Sequence, residues 1–182
     1  RISMHRRKLL EALETYAERY PQESNLVERF NIFIGENAHC FQSDNLIGHV
    51  TGSAWLVCPS YHRVLLTHHK KLNRWLQLGG HSDGEADSLK VALREASEES
   101  GLHVTVLDSS IFDLDIHEIP DRKQEAAHLH FDVRFVLQAT DVNFVVSPES
   151  HDLRWVNIED IEKYTKEYSV LRMRDKYSAR HG

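Results

Sequence analysis

The stretch that decides the fold runs from Gly80 to Leu102 and reads Gly-His-Ser-Asp-Gly-Glu-Ala-Asp-Ser-Leu-Lys-Val-Ala-Leu-Arg-Glu-Ala-Ser-Glu-Glu-Ser-Gly-Leu. Its second half, from Asp87 to Ser100, predicts an amphipathic helix that ends at Gly101, because apolar residues recur there at helical spacing. Glu95, Glu98 and Glu99 fall at i, i+3 and i+4, which places three carboxylates in one narrow arc of that helix. A divalent cation would turn their mutual repulsion into a hard-oxygen site of the kind that suits Mg²⁺ or Mn²⁺.

The residues around this stretch predict alternating short strands and helices. Upstream, residues 5–20 and a second segment that ends near Gly35 have helical periodicity, residues 54–58 and 63–67 resemble a hairpin, and residues 74–78 lead into the glycines. Downstream, we expect strands at about 103–107, 111–118, 128–138 and 152–157, and helices at 158–164 and near 169–178. The predicted elements are those of an α/β protein.

Composition excludes several classes of protein. The 182 residues carry a net charge of −6, so the chain lacks the broad positive field of a nonspecific nucleic-acid binder. No uninterrupted apolar run is long enough to span a membrane, and the chain has two cysteines without metal-site spacing. We therefore expect a cytoplasmic protein whose partner is neither nucleic acid nor membrane, with Cys40 and Cys58 reduced.

Residues 80–102 resemble the Nudix box, G-x5-E-x7-R-E-U-x-E-E-x-G-U, where U is an apolar residue. One defined position departs from it: the first glutamate of the box falls on Ala86, although Glu85 and Asp87 flank it. The resemblance implies a Nudix-like α/β/α sandwich with a mixed β-sheet at residues 47–182, preceded by an N-terminal helical extension at residues 1–46. We expect this extension to cover a face of the domain or to contribute to a homodimer interface.

The same resemblance implies a metal site and its chemistry. Glu95, Glu98 and Glu99 would bind Mg²⁺ or Mn²⁺ with the Gly80 carbonyl, and Arg94 would orient the glutamates. The general base would be Glu98, Glu99 or Glu149, which lies six residues before Trp155 as in family members that use a glutamate outside the box. Glu85 or Asp87 would partly replace the missing glutamate in bracing the loop.

The activity that the resemblance implies is hydrolysis of a diphosphate bond by attack of water on phosphorus. The substrate would be a small nucleoside diphosphate derivative: a nucleotide sugar, an ADP-ribose-like compound or a nucleoside triphosphate. Two alternatives stay open: a catalytically silent ligand-binding module, because of Ala86, and an isomerase of isoprenoid diphosphates, for which Cys58 would be the cysteine.

Histidines provide a second signal, because two predicted strands each place polar residues on one face. His128 and His130 alternate with apolar residues, and His117 does so in the preceding strand. If these strands pair, the three histidines face the substrate phosphates or a second metal; the alternative is an ordinary solvent-facing surface. His81, which follows Gly80, is a further candidate for a phosphate contact.

Overall fold

A computed structural model describes residues 2–148 and 150–181. The helices are Met4–Arg19 (α1), Ser24–Glu36 (α2), Ser88–Ser100 (α3) and Tyr168–His181 (α4), with short 3₁₀ helices at Pro21–Glu23 and Ile158–Lys163. The strands are Gly48–Val57 (β1), Arg63–His69 (β2), Arg74–Leu76 (β3), Leu78–His81 (β4), Val104–Val106 (β5), Asp113–Ile119 (β6), His128–Ala139 (β7) and Ser150–Asn157 (β8). Among the described residues, no helix is long and apolar enough to cross a membrane.

The described strands form one mixed sheet of eight, with β1 at its centre. β1 pairs with β7 in parallel and with β4 and β2 in antiparallel orientation. β7 continues the sheet to β5 and β6, whereas β2 continues it to β3 and β8. The parallel contact between β1 and β7 brings together two strands that lie far apart in the sequence.

Helices cover both faces of the sheet, as expected of an α/β/α sandwich. Consecutive residues of β1 point to opposite sides: Leu56 belongs to a core shared with α1, α2 and α3, and Trp55 to a core shared with α4. In the second core, Met173 and Tyr177 of α4 pack beside Trp55. The predicted Nudix-like architecture is confirmed.

The two N-terminal helices pack into the same core as the sheet. The ring of Phe33 in α2 stacks on Phe131 of β7 with ring centroids 4.0 Å apart, and Phe30 meets Phe131 edge-on at 5.4 Å. Leu13 of α1 is also fully buried in this core. The extension therefore covers one face of the sheet, and its contribution to a dimer interface stays a prediction.

The two strands of the predicted hairpin pair only next to their connecting turn. β1 and β2 are in register at Val57 and Val64, and beyond that point the two strands take different partners. The segment from Arg74 to His81 accordingly changes partner: Leu76 pairs with Thr67 of β2, and Leu78 pairs with Ala54 of β1. The hairpin prediction was incomplete because β1 begins at Gly48 and takes β4 and β7 as partners, which the local sequence does not reveal.

A buried ionic network fixes α4 to the sheet. Arg134 of β7, only 1% exposed, donates to Asp132 at 2.8 Å and to Asp113 at 3.1 Å. From α4, Arg172 donates to Asp113 at 2.8 Å, and Lys176 donates to the other Asp113 oxygen at 2.6 Å. The charged side chains of β6, β7 and α4 are therefore paired with one another, because an unpaired charge would be costly to bury.

Candidate active site

The helix that carries the glutamates is held at both ends and along its buried side. The Asp87 carboxylate caps α3 by accepting hydrogen bonds from the backbone nitrogens of Leu89 at 3.1 Å and Lys90 at 3.4 Å. Gly101 ends the helix in the left-handed conformation with φ of 71°. A side chain at Gly52 of β1 would lie 2.8 Å from Val91, so the helix packs directly on the strand backbone.

The three predicted metal-binding glutamates lie on α3, and two of them contact β4. The carboxylate of Glu95 fills the space that a Cβ at Gly80 would occupy. Glu99 accepts a hydrogen bond from the Gly79 nitrogen at 3.0 Å, whereas Glu98 is exposed. The arrangement leaves carboxylate oxygens from one turn of helix beside the Gly79–Gly80 backbone.

Arg94 connects α3 to the end of β4. Its guanidinium donates to the His81 carbonyl oxygen at 2.6 Å and lies 3.8 Å from the Glu95 carboxylate. The expected ion pair with the glutamates is therefore one long contact combined with a short backbone hydrogen bond. This geometry positions Glu95 relative to β4.

The loop between β4 and α3 is braced without the family glutamate. Ala86 is half-buried and packs against the core that includes α1. Its neighbours provide the polar contacts: the Glu85 carboxylate accepts from the Asp87 nitrogen at 3.1 Å, and Asp87 caps the helix. Partial replacement of the missing glutamate by Glu85 or Asp87 stays a prediction, for which these contacts offer a route.

This donor set fits a hard divalent cation. Carboxylate oxygens and a backbone carbonyl are the ligands that Mg²⁺ and Mn²⁺ prefer. Glycine at position 80 is what allows the Glu95 carboxylate to approach the strand, since any side chain there would displace it. Glu95, Glu98, Glu99 and the Gly80 carbonyl remain the candidate ligands.

Glu149, the other candidate base, lies outside the described residues. Trp155 in β8, whose spacing suggested Glu149, donates from its indole nitrogen to the Val142 carbonyl at 3.0 Å. The Pro148 carbonyl accepts a hydrogen bond from Lys70 at 2.6 Å. The role of Glu149 stays a prediction.

The two histidine-bearing strands pair as expected, and the structure adds a histidine that the sequence interpretation missed. β6 and β7 are antiparallel with His117 opposite His130, and His49 of β1 lies beside His130 in the parallel register. The ring centroid of His49 lies 4.8 Å from that of His81, 5.2 Å from that of His128 and 4.6 Å from that of His130. These residues form the histidine cluster: His49, His81, His117, His128 and His130.

Burial keeps two members of the histidine cluster neutral. Burial, together with the neighbouring His81 and His128, lowers the pKa of His49 to about 4. Burial and the surrounding histidines lower the pKa of His130 to about 2. Both imidazoles are therefore uncharged at neutral pH. The alternation of His49, Thr51 and Ser53 was the available sequence signal, but the parallel pairing that gives it meaning is not visible locally.

Cys58, the residue on which the isomerase alternative depends, lies away from the glutamates. It follows the last residue of β1, six residues beyond Gly52, which pairs with Gly80. At about 3.3 Å per residue, that separation is roughly 20 Å. Cys58 is buried, and its sulfur contacts the Ser60 hydroxyl at 3.2 Å. The described residues therefore do not bring this thiol to the acidic site.

Comparisons with known proteins agree with the fold and the box. The sequence profile of the NUDIX domain matches residues 49–174. A NUDIX-family hydrolase from Clostridium perfringens shares 26% identity and a TM-score of 0.53, with 72% of this chain and 97% of that chain covered. No curated protein sequence matches.

Two more distant structures share the fold. The Ap4A hydrolase from C. elegans is 16% identical with a TM-score of 0.51, covering 71% of this chain and 95% of that one. The E. coli dihydroneopterin triphosphate pyrophosphohydrolase is 15% identical with a TM-score of 0.51, covering 70% and 92% respectively. The profile match spans most of the chain and includes the glutamate helix. The chain therefore belongs to the Nudix family and is an enzyme of the Nudix pyrophosphohydrolase type.

Proposed function

We propose that the enzyme hydrolyses a diphosphate bond in a nucleoside diphosphate derivative and that Mg²⁺ or Mn²⁺ is required. The observation that carries this proposal is the placement of Glu95 and Glu99 against the Gly79–Gly80 backbone, with Glu98 on the same turn of α3. A bound divalent cation would supply positive charge to the phosphate oxygens. The four oxygen donors would hold that cation.

The protein groups have separable tasks in this reaction. Phosphoryl transfer depends mainly on positioning and charge neutralisation, so rigid placement of the carboxylates is the main requirement. Arg94 contributes to this rigid placement because its guanidinium contacts both the His81 carbonyl and the Glu95 carboxylate. The Asp87 cap and the Gly101 terminus fix the helix itself.

The base that accepts a proton from the attacking water would be a carboxylate. Glu98 is the exposed member of the three, which supports this role because water and substrate reach it directly. Glu99 and Glu149 remain the other candidates. Replacing each of the three by Gln and following kcat against pH at saturating cation separates them. Loss of the base removes the acid limb of the pH profile and lowers kcat by roughly 10²–10⁴-fold, whereas loss of a metal ligand raises the cation concentration that turnover needs.

The histidine cluster provides a second set of contacts for the substrate. His117 and His128 are half-buried, and we propose that they donate hydrogen bonds to substrate phosphates. His81 and His130, the other two predicted phosphate contacts, would act on the same phosphates through a shared metal ion. The Asp115 carboxylate lies 3.1 Å from the Nδ1 atom of His117, and this contact orients the imidazole ring. An unchanged kcat/KM in the His117→Ala and His128→Ala variants would return both residues to a structural role.

A product assay tests the function directly. Nucleotide sugars, ADP-ribose, dinucleoside polyphosphates and nucleoside triphosphates would be incubated with the enzyme and Mg²⁺ or Mn²⁺, with Glu98→Gln as the matched control. We expect wild-type enzyme to release a nucleotide and a phosphorylated product from one class, and the control to lose that activity. Metal-independent ligand binding without any product would instead support the silent binding module.

A further inference from the structure

Three histidines converge on the sheet face opposite the glutamate helix. His49 and His130 lie side by side in the parallel register of β1 and β7, and His81 of β4 pairs with Thr51 of β1. Because side chains alternate along a strand, Thr51 and His49 share one face, whereas Gly52 faces Val91 of α3 on the other. His49, His81 and His130 are therefore presented together by three strands.

The distances between these imidazoles suit a single metal ion. Each of the three residues offers a ring nitrogen, and the three nitrogens all lie within 4.8 Å of one another. A tetrahedral Zn²⁺ with bonds of about 2.0–2.1 Å separates its nitrogen ligands by roughly 3.4 Å. The exposed side chain of His81 can rotate to close that difference.

Three ring nitrogens of His49 and His130 are buried without a hydrogen-bond partner among the described residues. His49 is only 2% exposed, and neither of its ring nitrogens has a hydrogen-bond partner within residues 2–148 and 150–181. Across the same ranges, the Nε2 atom of His130 is also buried and unpaired. Buried polar groups without partners cost stability, and a ligand that satisfies them removes this cost.

We propose that His49, His81 and His130 bind a divalent transition-metal ion of the Zn²⁺ class, separately from the Mg²⁺ or Mn²⁺ site of α3. Imidazole nitrogen favours Zn²⁺ and its neighbours, whereas the carboxylates of α3 favour hard cations. Three histidines leave a fourth position for water or a substrate oxygen. The exposed His81 places that position at the solvent-facing side of the site.

Such an ion joins β1, β4 and β7 at one end of the sheet. His81 directly follows Gly80, so the ion also immobilises the strand end beside the glutamates. The ion should bind only the folded chain, because a site built from three separate strands does not exist in the unfolded chain. Its binding should therefore raise the melting temperature.

Cobalt and zinc titrations of the full-length, metal-stripped protein test the proposal. We expect one equivalent of Co²⁺ to give the visible absorption of a four-coordinate ion, and Zn²⁺ to displace it with a rise in melting temperature. The His81→Asn variant should weaken binding by at least about tenfold, as loss of even an outer contact does in metal sites. His81 is exposed, so this variant should fold; His130→Asn provides the second ligand test.

Two controls make the result specific. His103 is exposed and outside the histidine cluster, so His103→Asn should bind Co²⁺ like the wild type. The Glu98→Gln variant should also retain the Co²⁺ spectrum, because it alters only the oxygen site. Absence of stoichiometric binding, or an unchanged affinity in both His81→Asn and His130→Asn, would overturn the proposal while leaving the hydrolase proposal intact.

Discussion

At the scale of single residues, Gly80 is the position on which the acidic site depends most. It precedes the end of β4, and the Glu95 carboxylate occupies the volume that any side chain at this position would need. Arg94 reinforces the same contact through the His81 carbonyl. Position 80 therefore needs glycine because a side chain there would displace the Glu95 carboxylate, and not because the strand backbone demands it.

The Gly80→Ala substitution should lower kcat/KM by roughly 10²-fold, because a displacement of about 1 Å in a catalytic group has effects of this size. Steady-state hydrolysis of the best substrate from the panel measures it. Gly35→Ala is the matched control, since a methyl group at Gly35 meets nothing within 4 Å. Equal turnover of Gly80→Ala and wild type would show that Glu95 need not occupy this position.

The residue scale also shows what local sequence can and cannot reveal. The box placed Glu95, Glu98 and Glu99 on one helix, and the Gly101 terminus was predicted from its position after that helix. His49 was missed because its significance arises from parallel pairing with a strand about 80 residues away. Sequence periodicity shows which neighbouring residues share a face, whereas the contact between His49 and His130 depends on which strands pair in the sheet.

At the scale of elements, α3 is a short helix that must present its carboxylates in a fixed direction. Its N-terminus is capped by Asp87, and its buried side packs on β1 and β4. The sequence predicted the helix accurately but not the divergence of β1 from β2, because the first six residues of β1 lack an apolar pattern. That divergence is what allows β4 to lie beside β1 and bring its glycines to the glutamates.

The Asp87→Ala substitution should lower the free energy of unfolding by about 1 kcal/mol, the usual cost of losing an N-cap. Urea denaturation followed by circular dichroism measures this change, with exposed Lys90→Ala on the same helix as the control. Asp87→Asn should retain most of the stability, because its side-chain oxygen can still accept the two backbone hydrogen bonds. A stability of Asp87→Ala equal to that of wild type would mean that the cap contributes nothing.

At the scale of the whole molecule, a paired ionic network connects the sheet with the helices. Burial alone would raise the pKa of Asp115, but its hydrogen bond with His117 and the charges of Arg134 and Arg172 lower this pKa to about 2. The same guanidinium groups and Lys176 lower the pKa of Asp113 despite its burial. Ionised carboxylates therefore stabilise the folded state.

Stability should fall as the pH decreases from about 5 towards 2, because an unfolded aspartate titrates near 3.9 and binds protons more readily than the folded Asp115. The contribution of Asp115 amounts to about 2 kcal/mol above about pH 5 and is lost progressively below it. Unfolding measured against pH should show a weaker dependence in Asp115→Asn. The exposed Asp121→Asn control should keep the wild-type slope, and identical slopes in all three proteins would refute the account.

The N-terminal helices should be part of the same cooperative unit as the sheet. Phe30 of α2 is completely buried against Phe131 of β7, so Phe30→Ala should lower the free energy of unfolding by about 3–5 kcal/mol. Ile32 on the same helix is 49% exposed, and its replacement by Ala should have a small effect. Calorimetry should show one transition at a lower melting temperature for Phe30→Ala. An unshifted main transition would mean that the extension unfolds independently.

The central claim is that the carboxylates of α3 hold the divalent cation required for hydrolysis. The most direct measurement is the rate of product formation against Mg²⁺ or Mn²⁺ concentration for wild type, Glu98→Gln and Glu99→Gln, with Glu118→Gln as an exposed control outside the box. We predict no turnover without the cation, and a loss of roughly 10²-fold or more in both box variants but not in the control. Cation-independent turnover, or full activity in both Glu98→Gln and Glu99→Gln, would contradict the claim.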